Sequence, residues 1–457
     1  MRMRERMARR AERLSIWALS GLLITLPFWR HRVLLHRAGG AIFFEFRDIT
    51  LYTNDLLWWA ALGVCFLSWL LRPAPRVLRV GPWFISGPLA AILALSVLGI
   101  PFAFDQIYAS YQTVRLLLLA FLFLMILNVS LTPGIVAWSL AAAMMLQAVF
   151  ALPQFVLGSS LGLKRLGEVT VKAAWPGASV VMVGEQRWLR AYGLTQHPNL
   201  LGGCMMVMLL LVAGFYLKQA GWCRFPLLVA LGLGFSTLLL TFSRAAWLGT
   251  GLGGAVMLAF LLWTRRRRHW SPSGSTVALL VILFLIIGAI FAMVNWPLLQ
   301  PRLGLTSQGA EIRSVESRAM QLRAAWILIK ERPWIGVGIG NYPVALYELA
   351  REAVSAYPVF QPVHNVALLS TAELGFLGGM VWLGLMAAPW AALWRKRLQL
   401  QVTSWWAGLS GALAALAVVS FFDYYVWSSH QGRMLLWLVF SLWTREWILG
   451  VRRDVNR

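Results

Sequence analysis

The chain is divided into long, nearly uninterrupted apolar runs, and this constrains its fold more than any single motif. Runs of roughly 17–25 residues have the length a helix needs to cross a hydrocarbon layer of about 30 Å. About twelve can be read, at 14–29, 53–72, 83–104, 108–128, 134–157, 199–217, 225–241, 245–263, 276–295, 366–390, 403–422 and 434–449. Hydrophobic residues make up 59% of the 457 and charged residues 13%, against roughly 25% charged in a soluble domain. Mean hydropathy is +0.69. The fold class expected is an all-α polytopic membrane protein. The first run follows an arginine-rich start (Arg2, Arg4, Arg6, Arg9, Arg10, Arg13) with no small-residue cleavage site after it, so it reads as an uncleaved first helix.

The net charge of +24 lies between the apolar runs instead of on a soluble face with interleaved aromatics. It therefore reads as topology and contact with anionic lipids and phosphates, not as nucleic-acid binding. Basic residues cluster in alternate loops: Arg72, Arg76 and Arg79; Lys218 and Arg224; Arg265 to Arg268; Arg395 to Arg397; Arg452 and Arg453. Short loops rich in Lys and Arg stay cytoplasmic, which places both termini there. One loop runs against the rule: 30–52 carries Arg30, Arg32, Arg37 and Arg47 on the outer side.

The chain then divides into spans 1–5 (1–157), an outer loop (158–198), spans 6–9 (199–295), a long outer loop (296–365), and spans 10–12 with a cytoplasmic tail (366–457). Long connections usually carry function or are disordered. In the second loop Ser314 is placed to cap a helix whose Val315, Leu322, Trp326 and Ile329 make one apolar stripe. A Gly/Pro turn at 333–340 follows, and then a second helix near 343–355.

Several motifs can be set aside. Gly249, Gly251 and Gly254 satisfy G-x-G-x-x-G but lie inside a span with no strand before them, so the dinucleotide reading fails, and Gly249 with Gly253 reads as close helix packing. Walker A, HExxH and GxSxG are absent from the sequence, and the six histidines and three cysteines (Cys65, Cys204, Cys223) show no metal-ligand or disulfide spacing. The expectation is no metal and no cofactor.

Three polar clusters fall at the outer ends of spans. Arg190 to Asn199 precedes the sixth, with His197 open between turn and site residue, Pro198 suited to a helix start and Asn199 able to cap or to hydrogen-bond there. Ser243-Arg244-Ala245-Ala246-Trp247 sits in a very short turn, where an arginine either snorkels or holds an anion with its planar, bidentate guanidinium. Gln361 to Asn365 opens the tenth span, which contains Glu373 and Gly375; His364 there is either a loop hydrogen-bonder or a proton acceptor near neutral pH. Arg115 lies several residues inside the fourth span, and both a functional and an outward-snorkelling reading stay open.

In order, R-x-x-G-x-x-x-HPN, SRAAW, P-W-I-G-V-G-I-G-N-Y, and HN leading to E-L-G resemble the O-antigen ligase and polymerase superfamily over about 190–380. The resemblance implies an inverting, metal-independent membrane glycosyltransferase. Its donor would be a glycan on undecaprenyl pyrophosphate, and its acceptor a lipid A-core sugar or another lipid-linked glycan. It further implies that Arg190, Arg244 and Arg318 hold the donor and that His364 activates the acceptor hydroxyl, with His197, Asn199 and Asn365 in the same substrate-binding motifs. Ligase and polymerase are not separated by these motifs. A secondary transporter is the alternative from another class; it calls for polar, interrupted helices at mid-membrane. A scaffold without chemistry would need neither the arginines nor His364.

The topology predicts that single cysteines near 175 and 310, in a Cys-free background, react with a membrane-impermeant thiol reagent in intact cells. A cysteine near 267 should react only after permeabilisation. Labelling at 267 in intact cells would invert the assignment.

Overall fold

A computed structural model of the chain describes residues 2–37, 42–72, 77–266, 273–305, 309–350, 360–397 and 402–455. It is an all-α polytopic bundle. The N-terminal half comprises α1 (Arg2–Thr25), the antiparallel hairpin of β1 (His31–Leu35) and β2 (Ile49–Tyr52), α2 (Thr53–Leu71), α3 (Trp83–Gly99), α4 (Gln106–Asn128) and α5 (Pro133–Leu157). A second hairpin, β3 (Val180–Val183) with β4 (Gln186–Leu189), leads to α6 (Pro198–Tyr216), α7 (Arg224–Leu240), α8 (Arg244–Arg266) and α9 (Gly274–Val294). The long connection holds α10 (Trp296–Arg302), α11 (Gly309–Glu331) and α12 (Tyr342–Ala350); α13 (Val366–Lys396), α14 (Ser404–Ser420), α15 (Tyr425–Ser428) and α16 (His430–Val455) complete the chain.

All twelve apolar runs are helical over most of their length, and nine of the described helices are long and apolar enough to cross a membrane. The other three are α14, at 17 residues, and α1 and α16, whose charged ends dilute the run. The first helix stops at Thr25, short of the expected 29, because Pro27 cannot continue it and disfavours helix in the residue before.

The centre of the bundle is packed backbone to backbone. A Cβ on Gly408 would meet the Leu210 carbonyl at 2.6 Å, and one on Gly253 would meet the Gly411 carbonyl at 2.6 Å. Only glycine lets α14 approach α6 and α8 this closely, as the packing reading of Gly253 anticipated.

α13 is broken at Gly375, whose φ of 74° and ψ of −178° lie outside any helix. The turn at 333–340 threads this break: the N–H groups of Val337 and Gly338 donate to the carbonyls of Ala372 and Glu373, and Phe376 N–H donates to the Pro333 carbonyl. The backbone groups that the break releases are thus satisfied by the turn. The glycine-rich motif is the insert that splints a discontinuous helix.

Two expectations about the long loops change. The first helix of the second loop begins at Gly309, so Ser314 lies within it and not at its cap. Its buried face is Gln321, Ala324, Ala325, Leu328 and Ile329, while Leu322 and Trp326 are 43% and 50% exposed, so the proposed stripe is split. Small Ala324 and Ala325 let that face seat against the bundle. The second helix is described over Tyr342–Ala350; residues 351–355 of the expected 343–355 lie outside the described residues. The basic 30–52 loop is partly neutralised, since Arg37 pairs with Asp105 at 2.8 Å and His36 meets Asp48 at 2.7 Å.

Arg115 does not snorkel. Its side chain is 9% exposed and forks onto Asp55, NH2 to Oδ2 at 2.9 Å and NH1 to Oδ1 at 3.2 Å. Nε donates to the Tyr111 hydroxyl at 2.7 Å and NH1 to His430 Nδ1 at 3.1 Å, and the guanidinium lies 4.9 Å from the Tyr52 ring. Because an arginine only donates, His430 Nδ1 must accept, which fixes that ring as neutral. The network joins α2, α4 and α16. Removing one partner of a buried pair strands the other charge and costs about 3–5 kcal/mol. Arg115→Met should therefore lower the thermal unfolding midpoint of the detergent-purified protein more than Arg115→Met with Asp55→Asn does; Asn keeps the acceptor that Asp55 offers to Tyr52 N–H. A double variant no more stable than the single would show that ion pairing is not what holds these helices.

Candidate functional site

Four arginines meet in one cleft of about 400 Å³ at the end of the bundle where α8 begins: Arg190, Arg244, Arg302 and Arg318, with His364, Asn199 and Asp423 also lining it. The clusters that are far apart in sequence are brought together here.

Arg190 leaves β4 with its backbone N–H bonded to the Ser179 carbonyl at 3.1 Å, and Ala191 N–H reaches the Leu240 carbonyl at 3.0 Å. Its side chain is held from two sides, Nε donating to the Thr241 carbonyl at 2.6 Å and NH2 to Asn199 Oδ1 at 2.5 Å. The turn that receives it is strained. Phe242 has a positive φ of 47°, a conformation that costs a bulky residue energy unless its surroundings hold it. They do: the ring is buried, 5.5 Å from Phe291 and 6.0 Å from Phe155. The turn starts α8 directly at Arg244, so that helix's N-terminal dipole and the guanidinium both favour an anion.

Asn199 does not cap α6. The N-cap is His197, whose Nδ1 accepts from Asn199 N–H at 3.1 Å, with Pro198 at the first helical position. This frees the Asn199 amide to bridge Arg190 and Asp423, donating to Asp423 Oδ2 at 2.7 Å. Since His197 Nδ1 accepts, Nε2 carries the proton and donates to Ser179 Oγ at 2.8 Å. Burial and the charges of Arg190, His364 and Arg302 push the His197 pKa down to about 3, so this ring stays neutral and holds the turn. Asn365 caps α13, its Oδ1 accepting from Leu368 N–H at 3.1 Å, and it is not among the residues lining the cleft.

His364 Nδ1 lies 2.6 Å from Gln321 Oε1 on α11, and the ring stands edge-on to Tyr424 at 4.9 Å. An amide oxygen only accepts, so Nδ1 is protonated and Nε2 carries the lone pair. Burial lowers the His364 pKa below its ordinary value; Asp423 acts against this and Arg318 with it. The imidazole is thus neutral and basic at physiological pH.

The sequence reading missed Arg302, Asp423 and Gln321, while Gln361, named there only as the start of its cluster, also lines the cleft. Arg302 ends α10 and Asp423 follows α14. Both sit just past a span on the side assigned to the other clusters, a signal that topology alone could have supplied. Gln321 lies on a face visible only once α11 is packed.

Among the described residues, a bundle of helices long and apolar enough to cross a membrane carries a cationic cleft with a neutral imidazole at one end, which defines the class as a polytopic membrane protein. Residues 227–383 match the family model described as O-antigen ligase. The match, over about a third of the chain, supports the O-antigen ligase superfamily and suggests an enzyme family of membrane glycosyltransferase type. The matched region contains Arg244, Arg302, Arg318 and His364, while Arg190, Asn199 and Asp423 reach the cleft from outside it. No curated protein matches the chain.

Proposed function

We propose that the chain transfers a glycan from undecaprenyl pyrophosphate to an acceptor hydroxyl at the outer face of the bacterial inner membrane. The observation that carries this reading is the pairing, in one cleft, of four arginines with a neutral histidine oriented by an amide. In the reaction the acceptor oxygen attacks C1 of the donor sugar as the bond from C1 to the phosphate oxygen breaks, with inversion. The hydroxyl proton goes to His364 Nε2, and lipid pyrophosphate departs carrying the negative charge. Arg190 and Arg244 would stabilise that charge where it develops, with Arg302 and Arg318 beside them. Asn199 ties Arg190 to Asp423. The acceptor is either a lipid A-core sugar, as in a ligase, or a second lipid-linked glycan, as in a polymerase. A transporter is less well supported: the buried charges around Arg115 are paired with each other about a cavity of only about 20 Å³, room for one water and not for a sugar.

Charge-assisted contacts to pyrophosphate contribute about 1.5–3 kcal/mol each. Arg190→Ala and Arg244→Ala are each expected to cut transfer roughly ten- to a hundredfold at limiting purified donor. Lysine should rescue poorly, because it lacks the planar fork. Full activity of both alanine variants at limiting donor would reject the clamp.

A positioned base is worth about 10²–10⁴ in rate. His364→Ala and His364→Gln should keep expression and donor binding while losing most turnover. The neutral form is the base, so wild-type activity should be present above the His364 pKa and fall as pH drops through a value below the 6.5 of a free histidine. Near-normal turnover of His364→Gln with an unchanged pH profile would reduce the residue to a loop support.

A further inference from the structure

α8 carries four glycines on two opposite faces. Gly249 and Gly253 are pressed against neighbouring helices, but a Cβ on Gly251 or Gly254 would meet nothing within 4 Å. Alanine would be the better helix former at both positions, and packing does not ask for glycine at either. What these two glycines do is deepen a cavity of about 530 Å³ bounded by α6, α7, α8 and α9. Along α8 the cavity runs from Trp247 to Leu261, about 20 Å at the helical rise.

Its walls offer nothing to a polar ligand. Thr250 is the one hydroxyl there, and it donates to the Ala246 carbonyl at 2.7 Å; the Trp247 indole N–H donates to the Leu238 carbonyl at 3.1 Å. Only hydrocarbon suits such a surface. The groove adjoins the cleft along α8. Arg244, Ala245 and Leu248 line the cleft, and Trp247 and Gly251, within two turns on the same helix, line the groove. An anion held at Arg244 would thus lie within two helical turns of the groove.

We infer that this groove seats the hydrocarbon chain of the phosphate-linked lipid whose head lies in the cleft, with Gly251 and Gly254 as the floor of the seat. The inference rests on the proposed donor and adds where its chain runs. It makes chain occupancy, as well as the anionic head, part of donor recognition.

The test uses full-length protein in proteoliposomes and a photoreactive long-chain polyprenyl phosphate. The probe should label residues 247–261, and unlabelled polyprenyl pyrophosphate should displace it where phosphatidylglycerol does not. Gly251→Leu and Gly254→Leu fill open space, so the unfolding midpoint should hold while labelling falls about tenfold. The donor KM should rise for a long-chain donor and not for one shortened to a few isoprene units. Gly251→Ala, a smaller intrusion, should fall between wild type and Gly251→Leu. Displacement by phosphatidylglycerol as effective as by polyprenyl pyrophosphate would make the groove a place for bulk lipid and overturn the inference. So would unchanged labelling in the leucine variants, or equal loss with short and long donors. Labelling reads binding without transfer, so a protein that binds as expected but transfers nothing would sink the transferase reading and leave the seat standing.

Discussion

A charge among lipid chains has to find its partner inside the protein or sit at the edge, and the architecture follows from using both solutions. Arg115 takes the first: Asp55, the Tyr111 hydroxyl and His430 satisfy it within the helices it joins. Pairing at that depth adds little net stability, because desolvation offsets most of the Coulomb gain, but it fixes which faces of α2, α4 and α16 meet. The cleft arginines take the second solution. They gather at the bundle end, where the charge can be offered to a ligand.

The cleft is held by local devices, each with a backbone reason. The strained Phe242 turn starts α8 at Arg244, and the His197 cap leaves Asn199 free to link Arg190 with Asp423. The break in α13 at Gly375, splinted by the turn at 333–340, separates the part of the helix that follows His364 from the part that continues through the bundle. A discontinuous helix leaves backbone groups without partners, which hydrocarbon does not tolerate. The glycine-rich turn satisfies them, which accounts for a motif that carries no reactive side chain.

Neutral histidines recur for different purposes. His197 is held neutral so that it can cap a helix and brace Ser179, and His364 so that it can keep a lone pair in the cleft. Both have lowered pKa values from burial and nearby arginines. Only the second has its proton placed by an amide oxygen that leaves the other nitrogen basic. Residue type and spacing did not separate these roles; the hydrogen-bond partner does.

The sequence by itself determined the class and the shortlist. Apolar run length is set by bilayer thickness, so the helical spans could be counted from composition along the chain; Arg190, Arg244 and His364 stood out as polar residues at the outer ends of spans, and Arg318 through the family resemblance. Tertiary structure alone decided how these residues meet. It brought Arg302 and Asp423 into the cleft, turned Asn199 from cap to bridge and Ser314 from cap to helix interior, and split the Leu322–Trp326 stripe from the buried face of α11. It also buried Arg115 beside Asp55. The reason is physical. Membrane insertion depends on local hydrophobicity, which any stretch of chain displays, whereas hydrogen-bond partners and buried faces depend on which helices lie side by side, and that is settled only when small residues such as Gly253 and Gly411 let their backbones touch.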